Sequence, residues 1–425
     1  MSTSKNFNTN ITFHDLAVPK DIADVLAEHN IIHPSPIQEM TLPHTLKGKD
    51  LVGKAETGTG KTFCFGIPMI HSIDPERRSI QALILTPTRE LAQQISDNLK
   101  IIAPIRGVKV GLAIGGEYIK TQMKEILGSQ ILVATPGRVL DLTSGGGLNL
   151  GWCHTFVLDE FDRMLEMGFV EDIQKIFKLV PDEKHTMLFS ATAPKEIKKV
   201  AQSFMHQPIW IETSTGTSTS KNIHQKAIRV RRPQKFSTLK NFLDTLQLKN
   251  ETCLIFCNTK KDVRFLDREL WGRGYLAASL SSDHDQDIRF AVLESFRKKE
   301  YKIIIATDVA SRGLDIDHIE YVINYNVPNA PEEYVHRIGR TGRADRSGNV
   351  ITYVTQDEAY LFERIVKRVG EEKIDGAKQI LDFFNNNPRK SDNDKKKSSS
   401  SKLSNKKRPF NKNKKRNDKP NNNKP

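Results

Sequence analysis

Cysteine is scarce in this chain, four in 425 residues, and tryptophan scarcer, at three. Cys64, Cys153, Cys253 and Cys257 are too few and too scattered for a disulfide framework. Cys253 and Cys257 share the apolar run TCLIFCNT, but no further ligand is spaced to complete a metal site. Buried thiols are the expectation. Long hydrophobic runs are missing as well: nothing approaches the about 18 consecutive apolar residues that a membrane helix requires. Residues 1–10 are polar and lack the apolar centre of a signal peptide. A soluble, intracellular protein is expected, cytoplasmic by default, with a nuclear address as one reading of the basic tail described next.

Acidic residues nearly balance basic ones over most of the chain. Residues 386–425 hold fifteen Lys/Arg against three Asp, which is +12 of the total +14 and leaves +2 for residues 1–385. A nucleic-acid site on the folded part must therefore come from placed groups, not bulk charge. The tail itself is Lys, Asn and Ser with almost no apolar content, too little to offset ordering entropy, and reads as disordered. Its basic clusters (395–397, 406–408, 414–416) suit a non-specific RNA tether; a solubilising tail or nuclear address is the alternative.

What the chain does have is a recurring unit: a short apolar run, a polar loop, then a helical stretch. It occurs at 50–55, 82–85, 131–134, 155–158 and 187–189, and again at 254–257, 303–306 and 321–325. Strands alternating with helices predict parallel sheets covered on both faces. The rhythm breaks at 212–222 (ETSTGTSTSKN), which suits a flexible linker. The division expected is a domain over 1–212, a linker over 213–222, a second α/β domain over 223–385 and the tail over 386–425. In both domains the unusual residues follow strands, the edge at which open parallel sheets bind ligands.

Residues 55–62 (AETGTGKT) form a phosphate loop. Glu56, Thr57, Gly58, Thr59 and Gly60 would bring backbone N–H groups to the phosphates at a helix N-terminus. Lys61 would reach the β- and γ-phosphates, and the Thr62 hydroxyl would ligate Mg²⁺. Ala55 stands where the general pattern has its first glycine. Asp159 and Glu160 follow a strand; one carboxylate can hold Mg²⁺ and the other can polarise the attacking water. Alone, such a pair is a solvated loop; with the phosphate loop upstream it becomes a metal and base site. Residues 336–343 (HRIGRTGR) offer arginines that can stabilise charge developing on a transferred phosphoryl group. They lie on the other domain from Lys61, so hydrolysis would require the domains to close.

In order and wording these motifs resemble the DEAD-box RNA helicases of helicase superfamily 2, over residues 13–353. The resemblance implies two tandem RecA-like domains, each a mostly parallel sheet flanked by helices, and ATP and Mg²⁺ as cofactors. It implies that Gln38, within PSPIQ, reads the adenine with Phe13 packing nearby, and that Asp315 holds the ribose. Arg340 and Arg343 correspond to the arginine fingers. Ser190, Thr192, Asp162 and His336 correspond to the groups coupling hydrolysis to RNA. RNA contacts are implied for Pro87, Thr88, Arg89, Gly115, Gly116, Thr135, Pro136, Gly137 and Arg138, and for Thr259, Gln286, Arg289 and Thr307. Such contacts go to phosphates and 2′-hydroxyls and ignore sequence.

Three positions depart from the family. Phe161 replaces alanine in the name motif, which here reads DEFD; Ser281-Ser282 replaces His-Gly; Ser311 replaces alanine. An RNA-stimulated ATPase that separates short duplexes, acting as a monomer by default, is the leading expectation. A slowly hydrolysing, ATP-gated RNA clamp is the alternative, and Phe161 is the feature that would favour it. A DNA helicase is disfavoured by Gln38 and the TPGR loop.

Overall fold

The computed structural model describes residues 10–55, 59–192, 195–213, 222–246, 251–280, 284, 286–308, 319–342 and 347–387. The expectations for the tail and for most of the linker lie outside them.

Two sheets account for the described strands. The first contains β1 (Leu51–Lys54), β2 (Ala82–Leu85), β3 (Val110–Ala113), β4 (Ile131–Ala134), β5 (Thr155–Leu158), β6 (His185–Ser190) and β7 (Ile209–Glu212). Their order is β3-β4-β2-β5-β6-β1-β7, with every pairing parallel. The second contains β8 (Ile223–Arg229), β9 (Cys253–Cys257), β10 (Ala277–Leu280), β11 (Ile303–Thr307), β12 (Tyr321–Asn324), β13 (Gly348–Val354) and β14 (Ile374–Asp375). Its order is β10-β11-β9-β12-β13-β8-β14, again all parallel.

Parallel sheets bury both faces, so their central strands are apolar throughout. ALIL in β2, ILVA in β4, TFVL in β5 and CLIFC in β9 are buried along their whole length. The period of two then sorts each strand between two cores. Ala82 and Ile84 enter one cluster and Leu83 and Leu85 the other. In β9, Leu254 and Phe256 face one side while Cys253, Ile255 and Cys257 face the other. All four cysteines are buried and free, as expected. Burial pushes the Cys64 and Cys153 thiols up to about 12 and the other two up as well. They are inert as nucleophiles.

Glu212, counted above within the linker sequence, ends β7. Its carboxylate pairs with Lys54, and Thr213 donates both its N–H (3.1 Å) and its hydroxyl (3.2 Å) to the Lys54 carbonyl. Pairing with β1 thus keeps Glu212 and Thr213 on the sheet of the first domain although their composition is that of the polar segment that follows.

Candidate nucleotide and RNA sites

The chemistry-bearing residues of the first domain gather where β1, β5 and β6 end. Gly60 starts the helix Lys61–Ser72 with φ +82°, a left-handed conformation that favours glycine. A Cβ there would also come within 2.7 Å of Gln38 Nε2. Lys61 is buried and donates to the Ala55 carbonyl at 3.0 Å. Gln38 sits in the helix Pro36–Thr45, which opens with proline in its first turn and a capping box. Its Oε1 accepts from Ser35 N (2.8 Å), and its Nε2 donates to the Gly60 carbonyl (2.7 Å). Gln38 and the last residue of the phosphate-loop sequence before Lys61 are therefore already joined. Phe13 is enclosed in the core cluster with Val18, Ile22 and Ile37.

At the end of β5, Asp159, Glu160 and Asp162 are all buried. Glu160 holds φ +50°, ψ +48°, a left-handed geometry that costs a non-glycine residue about 1–2 kcal/mol. It gives the sharp exit that lets Glu160 N donate to Asp159 Oδ1 at 2.9 Å. Desolvation raises the Asp159 carboxyl to about 6, against the lowering effect of Lys61; Glu160 and Asp162 add to the rise. Asp162 Oδ2 receives both the N–H and the hydroxyl of Thr192, each at 2.9 Å. Ala55 N in turn donates to the Ser190 carbonyl at 3.0 Å. The phosphate loop, the acidic turn and the Ser190–Thr192 segment form one connected unit.

A divalent cation fits this donor set. A buried carboxylate whose charge is incompletely compensated by Lys61, with the half-buried Thr62 hydroxyl on the adjoining helix, supplies hard oxygen ligands. Among the described residues no group of three or more His, Cys, Asp or Glu could cage a metal alone.

The proposed RNA loops at the ends of β2, β3 and β4 are braced against one another. Thr88 caps the helix Arg89–Ile102, accepting from Leu91 N at 3.3 Å. The Arg89 guanidinium lies over the glycine pair: a Cβ on Gly115 would be 3.0 Å from it, and one on Gly116 2.6 Å. Thr135 N donates to the Ala113 carbonyl at 3.1 Å, and Pro136 opens the helix Pro136–Ser144. Arg138 turns into the protein, bonding Gln122 Oε1 (2.6 Å) and the Glu117 carbonyl (2.7 Å). Pro87 is buried and Gly137 half-buried at this surface.

In the second domain, Thr259 repeats the role of Thr88, capping the helix Lys260–Trp271 by accepting from Asp262 N at 3.1 Å. Thr307 ends β11, and Gln286 begins the helix Gln286–Arg297. On that helix Arg289 reaches across to the first domain, where its Nη2 lies 2.6 Å from Glu90 Oε1. The two side chains are only 11% and 7% exposed.

His336 and Arg337 lie in the helix Pro331–Ile338, and the buried Arg340 follows it. Arg337 is the hub. Its five N–H groups find five acceptors: Asp308 Oδ1 (2.7 Å) and Oδ2 (2.6 Å), Asn324 Oδ1 (3.2 Å), the Asn326 carbonyl (2.9 Å) and Asn258 Oδ1 (2.8 Å). It is fully buried, with its guanidinium carbon 5.0 Å from the Phe256 ring centre. Sequence reading singled out neither Arg337 nor Glu90. Arg337 is one of three arginines in eight residues, and Glu90 reads as an ordinary first-turn acid. Glu56, Thr57, Gly58, Asp315, Arg343, Ser281, Ser282 and Ser311 lie outside the described residues.

Two tandem RecA-like α/β domains with a phosphate loop, an acidic turn and an arginine-bearing partner domain define a nucleotide-driven motor class. The DEAD/DEAH box helicase family model matches residues 35–200, and the helicase conserved C-terminal domain matches residues 234–345. The ATP-dependent RNA helicase CshA of Listeria monocytogenes is 42% identical over 364 residues, 85% of this chain and 69% of that protein. The DEAD-box ATP-dependent RNA helicase CshA of Geobacillus kaustophilus is 40% identical over 381 residues, 87% and 81% of the two chains. Among solved structures, S. cerevisiae Dbp5 bound to RNA and ADP BeF3 matches with TM-score 0.79 at 28% identity, covering 87% of this chain and 99% of that one. A structure of Mss116p bound to ssRNA and AMP-PNP matches with TM-score 0.78 at 25% identity, covering 95% and 87%. The chain belongs to the DEAD-box ATP-dependent RNA helicases.

Proposed function

We propose that this helicase couples RNA-stimulated ATP hydrolysis to closure of its two domains, separating short RNA duplexes or remodelling RNA–protein particles. Lys61 and the backbone of 56–60 hold the phosphates, Gln38 and Phe13 the adenine, and Asp315 the ribose. Thr62 and Asp159 hold Mg²⁺, which when bound neutralises phosphate charge. Glu160 orients the attacking water, and Arg340 and Arg343 stabilise the transferred phosphoryl group. Ser190, Thr192, Asp162 and His336 link that chemistry to RNA engagement. RNA is gripped through 87–89, 115–116 and 135–138, and through Thr259, Gln286, Arg289 and Thr307, with residues 386–425 as a tether.

The observation that carries this reading is the buried Glu90–Arg289 pair. It joins the helix behind one RNA loop to a helix of the arginine-bearing domain. Phe161 makes the name motif a DEFD variant, and its ring is fully buried in the same cluster as Leu158, Met164 and Leu188. With the ring accommodated, Phe161 no longer argues for a clamp over an active enzyme.

The test is phosphate release with ATP and Mg²⁺, with and without single-stranded RNA, with DNA as comparison and Glu160→Gln as control. Stimulation by RNA alone is expected, with loss of about 10²–10⁴-fold in the control. RNA binding without stimulation would establish the clamp instead. Removing residues 386–425 should flatten the salt dependence of RNA binding, by about 0.7 in log–log slope per lost phosphate contact, at unchanged saturated turnover.

A further inference from the structure

Phosphate- and sugar-directed loops leave the bases unread, yet one side chain among them has different chemistry. Tyr118 lies two residues beyond Gly116 and is 86% exposed. Its backbone is nonetheless fixed from both sides. The preceding Glu117 carbonyl is held by Arg138 at 2.7 Å, and the Tyr118 carbonyl accepts from Thr121 N and Gln122 N, both at 3.1 Å. Gln122 Nε2 returns to the Ile114 carbonyl (3.2 Å) and Glu117 Oε2 (3.1 Å), closing the loop on itself. Arg89, packed over Gly115 and Gly116, secures the entry.

A lone exposed aromatic is ordinary on a protein surface. This one stands on an immobilised backbone, between loops assigned to one RNA strand, with exposed Lys120 and Lys124 on the helix Ile119–Ile126 that follows. An exposed aromatic face leading into a helix that carries exposed lysines suits an unpaired nucleobase of a nearby polyanionic strand, and stacking is indifferent to base identity. A tyrosine has only two side-chain torsions, so with its backbone held it loses little conformational freedom when a base covers it.

We propose that Tyr118 is a base-stacking platform at the edge of the RNA path, taking an unpaired nucleobase of any sequence. The proposal rests on the reading that residues 87–89, 115–116 and 135–138 hold RNA. A paired base inside a duplex does not offer its face, so this contact favours single strand over duplex and adds strand selectivity to a sequence-blind grip.

The experiment is fluorescence anisotropy of a short labelled single-stranded RNA, with a non-hydrolysable ATP analogue, on the wild-type full chain, Tyr118→Ala and Tyr118→Phe. Each is repeated with RNA of intact backbone carrying abasic sites. Tyr118→Ala should weaken binding by about 5- to 100-fold, Tyr118→Phe should stay within about twofold of wild type, and abasic RNA should bind wild type and Tyr118→Ala alike. Equal affinity of wild type and Tyr118→Ala for normal RNA overturns the stacking proposal alone. So does a loss that persists on abasic RNA, or Tyr118→Phe behaving as Tyr118→Ala. Failure of the wild type to bind RNA brings down the underlying RNA-site reading as well.

Discussion

Phe161 shows how one side chain can be structural in the middle of a turn of buried acids. Asp159, Glu160 and Asp162 are committed to the acidic turn, while Phe161 between them points into the core. Replacing it with alanine would leave a cavity under the turn whose cost is about 3–5 kcal/mol, as for other buried phenylalanines. Phe161→Ala should therefore melt several degrees lower in a thermal unfolding scan. Its RNA-stimulated turnover should also fall, because Thr192 is held by the carboxylate of the very next residue, Asp162. Higher turnover in Phe161→Ala would mean that the ring restrains catalysis. The motif and its departure are plain in the sequence. Whether the ring has room is not, because that depends on Leu158, Met164 and Leu188 meeting it from separate elements.

Among the elements, legibility followed burial and chemistry. Most strands buried along their whole length read as continuous apolar runs, so β2, β4, β5 and β9 are evident from composition, whereas β10, AASL, is equally buried but too weakly apolar to be read. β3 and β7 lie at or near a sheet edge with partly exposed residues. β8, IHQKAIR, alternates burial with exposure and carries charges, so its apolar signal is diluted. β13 is nearly all buried, but no loop of unusual residues follows to mark it. The knot that joins the ends of β9, β11 and β12 is less legible still, since its acceptors Asn258, Asp308, Asn324 and Asn326 acquire meaning only when Arg337 stands among them. Removing a partner from a buried ionic network costs about 3–5 kcal/mol. Arg337→Met should lower the melting transition of the second domain accordingly. Arg337→Lys should fold better yet still lose RNA stimulation, since one ammonium cannot span Asn258, which precedes Thr259, and Asp308, which follows Thr307. Full stimulation in a folded Arg337→Lys protein would argue that the knot only holds the sheet together.

At the scale of the whole molecule, the sequence places arginines and phosphate loop on different domains but cannot say which side chains meet. Glu90 and Arg289 do, and both are nearly excluded from water. Truncating one partner of such a pair costs about 2–5 kcal/mol, much of it from the charge left behind. Glu90→Gln and Arg289→Gln should each raise the RNA concentration needed for half-maximal ATP turnover. The double variant should lose less than the sum of the two. Strict additivity in that cycle would show that the pair does not couple the domains.

The path out of the first domain has a consequence of its own. Thr213 hangs both of its donors on the carbonyl of Lys54, the residue immediately before Ala55 and the phosphate loop. The residue that follows β7 is thus pegged beside the start of the phosphate-loop sequence. A displacement of the Lys54 peptide would therefore be felt at Thr213 through two hydrogen bonds, so the strand that closes one edge of the sheet moves with the residue that leads into the phosphate loop.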